Sequence, residues 1–183
     1  MTKISPEGLL EGARYVASPN CDERPAGTAV TLLVLHSISL PPGKYGGDAI
    51  ERLFTNRLDP HAHPYFAQIS SLKVSSHFLL RRDGAVLQFV PLARRAWHAG
   101  ASSWRGLARC NDFSVGIELE GTDDAAFEPA QYRRLCELIG ALRAALPLRD
   151  IAAHSDVAPD RKTDPGARFD WVQLLSALSA RQK

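Results

Sequence analysis

The run Thr31-Leu-Leu-Val-Leu-His-Ser-Ile38 decides the fold. It is apolar and β-prone without polar alternation, the pattern of a strand buried on both faces. Such a strand belongs inside a sheet covered by helices on either side. Its one imidazole, His36, lies near the C-terminal end, where open sheets place their ligand sites.

Working outward, Pro41-Pro42-Gly43 and Gly46-Gly47 break the chain after this strand. Asp48 to Thr55 then predicts a short helix capped by Asp48, with Ile50, Leu53 and Phe54 inward. In the turn-rich Asp59-Pro-His-Ala-His-Pro64, His61 and His63 read as turn residues, because no thiol or third ligand lies near. Ser76–Arg81 and Ala85–Val90 flank Arg82-Asp83-Gly84, and Asp-Gly between two β-prone runs predicts an antiparallel hairpin. The stretch from Ala96 to Asp112 is long and irregular, carrying Trp97, His98, Trp104 and Arg109 around the small residues Ala99, Gly100 and Ala101. Loops of this kind are often functional. His77 and His98 read as structural or supporting groups, His98 also as a substrate contact.

Phe113-Ser-Val-Gly-Ile-Glu-Leu-Glu120 alternates, placing Val115, Ile117 and Leu119 on one face and Ser114, Gly116, Glu118 and Glu120 on the other. From Pro129, a residue suited to the first helical position, Tyr132, Leu135, Cys136, Leu138, Ile139, Leu142 and Leu146 recur at helical spacing until Pro147. Ile151-Ala-Ala153 reads as a short strand entering His154, and Phe169 to Leu178 as a closing amphipathic helix. On the N-terminal side, the polar opening through Pro25 reads as irregular. The expectation is a single α+β domain over residues 1–183, a mixed β-sheet flanked by α-helices.

Composition narrows the function. An apolar fraction of 45% in 183 residues suffices for one normal core. The 22 basic and 20 acidic residues give a net charge of +2 and are dispersed, so no basic stripe suits a nucleic acid. No stretch approaches the roughly eighteen apolar residues of a spanning helix, and the N-terminus has no export signal, so a soluble, cytoplasmic chain without a membrane partner is expected. Cys21, Cys110 and Cys136 are odd in number and far apart, which suits a reducing compartment, and there is no Cys-x-x-Cys pair. Any metal must therefore be held by histidine and carboxylate. The chain also lacks a Gly-x-Ser-x-Gly elbow, a Gly-x-Gly-x-x-Gly or Walker loop and a His-Glu-x-x-His helix, which removes the common serine-hydrolase, nucleotide and zincin readings.

The remaining chemistry gathers near the C-terminus, in His154-Ser-Asp-Val-Ala-Pro-Asp-Arg-Lys-Thr-Asp-Pro-Gly166. Its two prolines and glycine predict a segment without regular helix. Asp164 precedes Pro165 and is biased to extended backbone, so Lys162 and Asp164 should face one site. The loop alone reads equally well as a surface loop with solvated charges. A histidine ending a strand is, likewise, more often a hydrogen-bonded structural residue than a ligand. If the strands ending at His36, Glu118 and His154 run parallel, however, their side chains converge. Two imidazoles and the Asp164 carboxylate form the donor set of a catalytic Zn²⁺ site with an open fourth position. Such a metal acidifies a water and polarises a carbonyl. Glu118 could then shuttle the proton to a leaving amine and Lys162 stabilise an oxyanion, which completes an amide hydrolysis.

Six blocks carry a family resemblance: Leu33-Val-Leu-His-Ser-Ile-Ser-Leu-Pro-Pro-Gly-Lys-Tyr-Gly-Gly47, Asp59-Pro-His-Ala-His-Pro-Tyr-Phe66, Val74-Ser-Ser-His-Phe-Leu-Leu-Arg-Arg-Asp-Gly84, Arg95-Ala-Trp-His-Ala-Gly100, Arg109-Cys-Asn-Asp-Phe-Ser-Val-Gly-Ile-Glu-Leu-Glu-Gly-Thr-Asp123 and Ala158-Pro-Asp-Arg-Lys-Thr-Asp-Pro-Gly166. In this order, over nearly the whole chain, they closely resemble the AmpD-type 1,6-anhydro-N-acetylmuramoyl-L-alanine amidases. That zinc amidase family is related more distantly to phage amidase-type lysozymes and peptidoglycan recognition proteins. The resemblance implies zinc on His36, His154 and Asp164, Glu118 as catalytic acid/base, and Lys162 at the transition state. It implies a cytoplasmic monomer acting on a recycled muropeptide, cut between the lactyl group of anhydro-N-acetylmuramic acid and L-alanine. It places Arg109 and Trp97 near the peptide and sugar and Tyr65 close to the site. Two positions depart from the family pattern, with Ser37 where Asn is common and Lys73 where Arg is usual. Ser offers fewer hydrogen bonds and Lys is a poorer bidentate partner for a carboxylate, so both bear on substrate grip. The rivals are a muropeptide-binding protein without catalysis and a broader murein amidase. All three candidate ligands and Glu118 are present, which favours the enzyme.

Overall fold

The computed structural model describes residues 3–180. The chain runs through β1 (Arg14–Tyr15), β2 (Cys21–Glu23), β3 (Leu32–Ile38), α1 (Ala49–Phe54), α2 (Pro64–Ile69), β4 (Phe78–Leu80), β5 (Val86–Gln88), β6 (Arg94–Ala96), β7 (Ser103–Trp104) and β8 (Leu107–Ala108). It continues through β9 (Ser114–Glu120), α3 (Pro129–Ala145), β10 (Asp150–Ala153), α4 (His154–Val157) and α5 (Trp171–Ala180). Six strands form one mixed sheet in the order β1-β5-β4-β9-β3-β10. Only β4 and β5 pair antiparallel, around the expected Asp83-Gly84 turn; every other pairing in the sheet is parallel. The α+β architecture read from the sequence is the one observed.

As the run of apolar residues required, β3 is an interior strand, paired on both sides by β9 and β10, and Leu32 to Leu35 are fully buried. Alternation then divides the sheet. Leu33, Leu35, Val115, Ile117, Leu119, Phe78 and Leu80 face α3 and α5 and form one core with Leu135, Leu138, Ile139 and Leu142. Each such aliphatic side chain contributes about 1.5–3 kcal/mol by leaving water. On the other face, Leu79 and Leu87 pack with Ile50, Leu53, Phe54 and Phe66 of α1 and α2. Leu32 and Val34 pack instead with Ala99, Cys110, Phe113, Ala152 and Val157. His36 and Glu118 lie on this second face, which two separate clusters cover.

Several local expectations differ from the structure. The polar opening is not wholly irregular, since Arg14–Tyr15 adds a parallel edge strand to β5 and Cys21–Glu23 pairs with β6. The first two residues of that opening lie outside the described ones. Asp48 precedes α1 but makes no side-chain cap; its carboxylate accepts from Arg52 Nε at 2.8 Å instead. Pro64 opens α2, with His63 Nδ1 accepting the Tyr65 N–H at 3.1 Å, so that histidine is a helix cap and turn residue. The stretch from Ala96 to Asp112 contains the small β7–β8 hairpin and a 3-10 turn over Cys110–Phe113. Finally, one helical turn, α4, forms at His154–Val157 ahead of Pro159. The Asp156 carboxylate accepts the Ala153 N–H at 2.8 Å and stabilises that turn, a local bond that the proline at position 159 does not oppose.

Candidate metal centre and active site

Register brings the candidate residues together. In the parallel β3–β9 pair His36 stands opposite Glu118, and in the β10–β3 pair Ala153 stands opposite Leu35, so His154 begins level with His36. The three strands thus deliver two imidazoles and a carboxylate to the carboxyl edge of the sheet. The segment after α4 supplies the rest. The Ser155 N–H donates to the Asp164 carbonyl at 3.0 Å, and the Arg161 and Lys162 amides both donate to the Ala158 carbonyl. Arg161 donates from its guanidinium to the carbonyls of Ala99 (2.6 Å) and Ala101 (2.8 Å). That accounts for the small residues 99–101, which admit the arginine.

His36 Nδ1, His154 Nδ1 and Asp164 Oδ2 form a triangle with sides of 2.9, 3.0 and 3.2 Å. A tetrahedral zinc with bonds of about 2.0–2.1 Å spaces its ligands about 3.3 Å apart, so the donors are nearly preplaced for it. Proton accounting agrees. His154 Nε2 lies 3.3 Å from the Ala99 carbonyl, an acceptor, so the ring proton belongs on Nε2 and Nδ1 presents a lone pair. The residues present fit a Zn²⁺ ion.

Burial shapes the electrostatics. His36 is 1% exposed, and burial lowers its pKa to about 4 despite the Asp164 carboxylate beside it, which keeps the ring neutral as a ligand must be. Burial alone would raise the Asp164 carboxyl, but N–H groups of His154 and His36 directed at it, when the ring protons lie on Nδ1, outweigh burial and hold the group well below the usual carboxylate range. Glu118 goes the other way. Burial, and then the Asp164 charge, push its pKa well above the ordinary value, with the Lys162 ammonium opposing. Its Oε2 atom is shielded from water and has no hydrogen-bond partner among the described residues. An orphaned buried carboxylate oxygen on a group that lines a cleft marks a candidate for proton transfer.

The cleft has a volume of about 650 Å³ and is lined by His36, Glu118, His154, Lys162 and Asp164 together with Ser37, Tyr65, Trp97 and His98. Ser37 Oγ donates to Asp123 Oδ1 at 3.4 Å, and Trp97 Nε1 to Asp22 Oδ1 at 3.1 Å. Arg109 and Lys73 do not line it. The Arg109 side chain is 70% exposed and pairs with Asp112 at 3.2 Å, while Lys73 is exposed between the cleft-lining Leu72 and Val74. Two further supports were not legible from residue type alone. Thr163 donates to Asp123, and Gly166 sits at φ +89° where a Cβ would fall 2.2 Å from Asp123 Cα, so the Asp164 segment seats directly on the loop after β9.

Fold and site together define a hydrolase of the amidase class, with a candidate metal centre at the carboxyl edge of a mixed sheet. Residues 26–167 match the family described as N-acetylmuramoyl-L-alanine amidase, and the chain belongs to that family. It is 54% identical over 175 residues to the 1,6-anhydro-N-acetylmuramyl-L-alanine amidase AmpD of Escherichia coli K12, covering 94% of this chain and 96% of the relative. A crystal structure of a selenomethionine AmpD derivative superimposes with a TM-score of 0.92 at 52% identity, covering 94% of this chain and 97% of that one. The Escherichia coli amidase AmiD, solved in complex with anhydro-N-acetylmuramic acid-L-Ala-D-γ-Glu-L-Lys, is more distant. It matches with a TM-score of 0.60 at 30% identity, over 95% of this chain and 65% of that one.

Proposed function

We propose that this chain is a zinc-dependent amidase that cuts recycled muropeptides in the cytoplasm as a monomer, between the lactyl carbonyl of 1,6-anhydro-N-acetylmuramic acid and L-alanine. The observation that carries the reading is the convergence of His36, His154 and Asp164 on one point beside the unpartnered Glu118 oxygen. The close relatives and the substrate-bound AmiD structure support the substrate class. When bound, zinc supplies a positive charge that polarises the scissile carbonyl and acidifies a water.

The chain's own residues perform the proton and charge work. Glu118 in its ionised form takes a proton from the attacking water, and its raised pKa lets it hold that proton until it passes to the departing alanine nitrogen. Lys162, which also lines the cleft, offers its ammonium to the oxyanion that develops on the lactyl carbonyl oxygen. Trp97 and Tyr65 supply apolar surface for the anhydro-sugar and the first stem residues, and Ser37 a hydroxyl near the reacting centre. Arg109 and Lys73, outside the cleft wall, are assigned to the substrate beyond it, Arg109 to the peptide and sugar and Lys73 to a carboxylate of the stem peptide.

Incubation of the protein with a defined anhydro-muramoyl tripeptide in H₂¹⁸O, followed by mass spectrometry, tests the reading. It should release anhydro-N-acetylmuramic acid with one ¹⁸O in the lactyl carboxylate and a peptide with a free alanine amine. Cleavage at another bond, or tight binding without cleavage, would contradict it.

A further inference from the structure

The two candidate histidine ligands have their outer nitrogens satisfied in different ways. For His154 the partner is the Ala99 carbonyl, which can only accept. For His36 the partner of Nε2 is another imidazole, with His98 Nδ1 at 2.9 Å, and His98 Nε2 lies in turn 3.2 Å from Ser114 Oγ. A neutral imidazole carries one N–H, so the bonds along His36, His98 and Ser114 must all point the same way. If the Ser114 hydroxyl donates inward, His98 Nδ1–H donates to His36 Nε2, and the His36 proton lies on Nδ1, where it covers the lone pair facing the site. If His36 Nε2–H donates outward, His98 Nε2–H donates to Ser114 Oγ and His36 Nδ1 is bare. Only the second polarity can bind a metal.

The setting shows that the His98 ring is built in. Gly116, on the same face of β9 as Glu118, lies beneath it; a Cβ at this position would come within 2.6 Å of His98 Cγ. The His36 and His98 rings meet edge-on, with centroids 5.0 Å apart and planes at 88°. The Asn111 side-chain oxygen accepts from the N–H groups of both His98 and Ala99, at 3.2 and 2.8 Å. One dipeptide, pinned by Asn111, therefore orients both imidazoles, His154 through a carbonyl and His36 through a side chain.

We infer that His98, backed by Ser114, is a positioning residue that holds His36 in the tautomer with Nδ1 bare, so that metal affinity depends on a side chain that does not touch the metal. This rests on the metal-centre reading above. Partners of metal-ligating histidines typically change affinity about 10–100-fold when removed.

Zinc affinity measured by competition with a chromophoric chelator, together with ¹⁵N NMR of the histidine side chains in the metal-free protein, tests the inference. His98→Leu removes the acceptor and should weaken zinc binding about 10–100-fold, with the His36 proton shifting in part to Nδ1. His98→Asn places an amide oxygen near the original Nδ1 position and should restore most of the affinity. Ser114→Ala, which deletes one oxygen, should weaken binding by a smaller factor and settles the matter if His98→Leu fails to fold. Unchanged affinity and an unchanged His36 tautomer in the folded variants would overturn the inference. Absence of zinc binding by the unaltered protein would instead overturn the metal-centre reading itself.

Discussion

Glu118 faces His36 across the β3–β9 pair with one carboxylate oxygen unpartnered among the described residues, and burial raises its pKa, which suits the proposed role of proton carrier. Glu118→Gln should therefore keep the metal and lose about 10²–10⁴-fold in turnover, checked by metal analysis beside a product assay. The same burial has a stability signature in the metal-free protein. His36 and His77 are held down to about 4 and about 3 by burial, so below the ordinary imidazole value of 6.5 the unfolded chain takes up protons that the folded one does not. Stability accordingly falls as pH drops from about 6.5 toward 3. Glu118 acts oppositely. Its folded form binds a proton above 4.5 that the unfolded form has lost, which destabilises the fold as pH rises. Urea unfolding of metal-free Glu118→Gln should show a more stable protein than the parent at pH 7, with the difference vanishing below about pH 4.5. At this scale, donor types at strand ends drew His36, His154 and Glu118 out of the sequence as candidates, and the Pro-bounded loop did so for Asp164. The role of His98 was not legible, because it depends on which nitrogen meets which, and the positions of Arg109 and Lys73 outside the cleft follow from loop paths that residue type does not determine.

Elements explain why residues so distant in sequence meet. The apolar, non-alternating β3 and the alternating β9 were readable because burial dictates their side-chain periods, and the hairpin was readable from Asp83-Gly84. The short elements were not. Strands of two or three residues such as β1 and β2 exist only through their partners, and α4 is a single turn stabilised by Asp156. Predictions at this scale separate packing from chemistry. Leu135→Ala on α3, a fully buried residue on the face away from the cleft, should cost about 2–5 kcal/mol in urea unfolding while leaving zinc affinity unchanged. Gly166→Ala should affect both. Its Cβ has no room against Asp123, so the Asp164 segment must shift, and zinc affinity should fall with a stability cost of about 1–3 kcal/mol.

On the scale of the whole molecule, one face of the sheet is closed by α3 and α5 and gives a continuous core, while the other is covered by two clusters with the site between them. Among the described residues no helix is long and apolar enough to cross a membrane. Because the three candidate ligands come from β3, from the end of β10 and from the segment after α4, an ion held by all three ties distant parts of the chain together. Its binding should raise the thermal midpoint, as for any ligand that prefers the folded state. The most direct test of the account is metal content measured together with activity on anhydro-muropeptide, before chelation, after it and after zinc is restored. One zinc per chain, activity lost with the metal and regained on its return, is the predicted result; full activity in metal-free protein would contradict it.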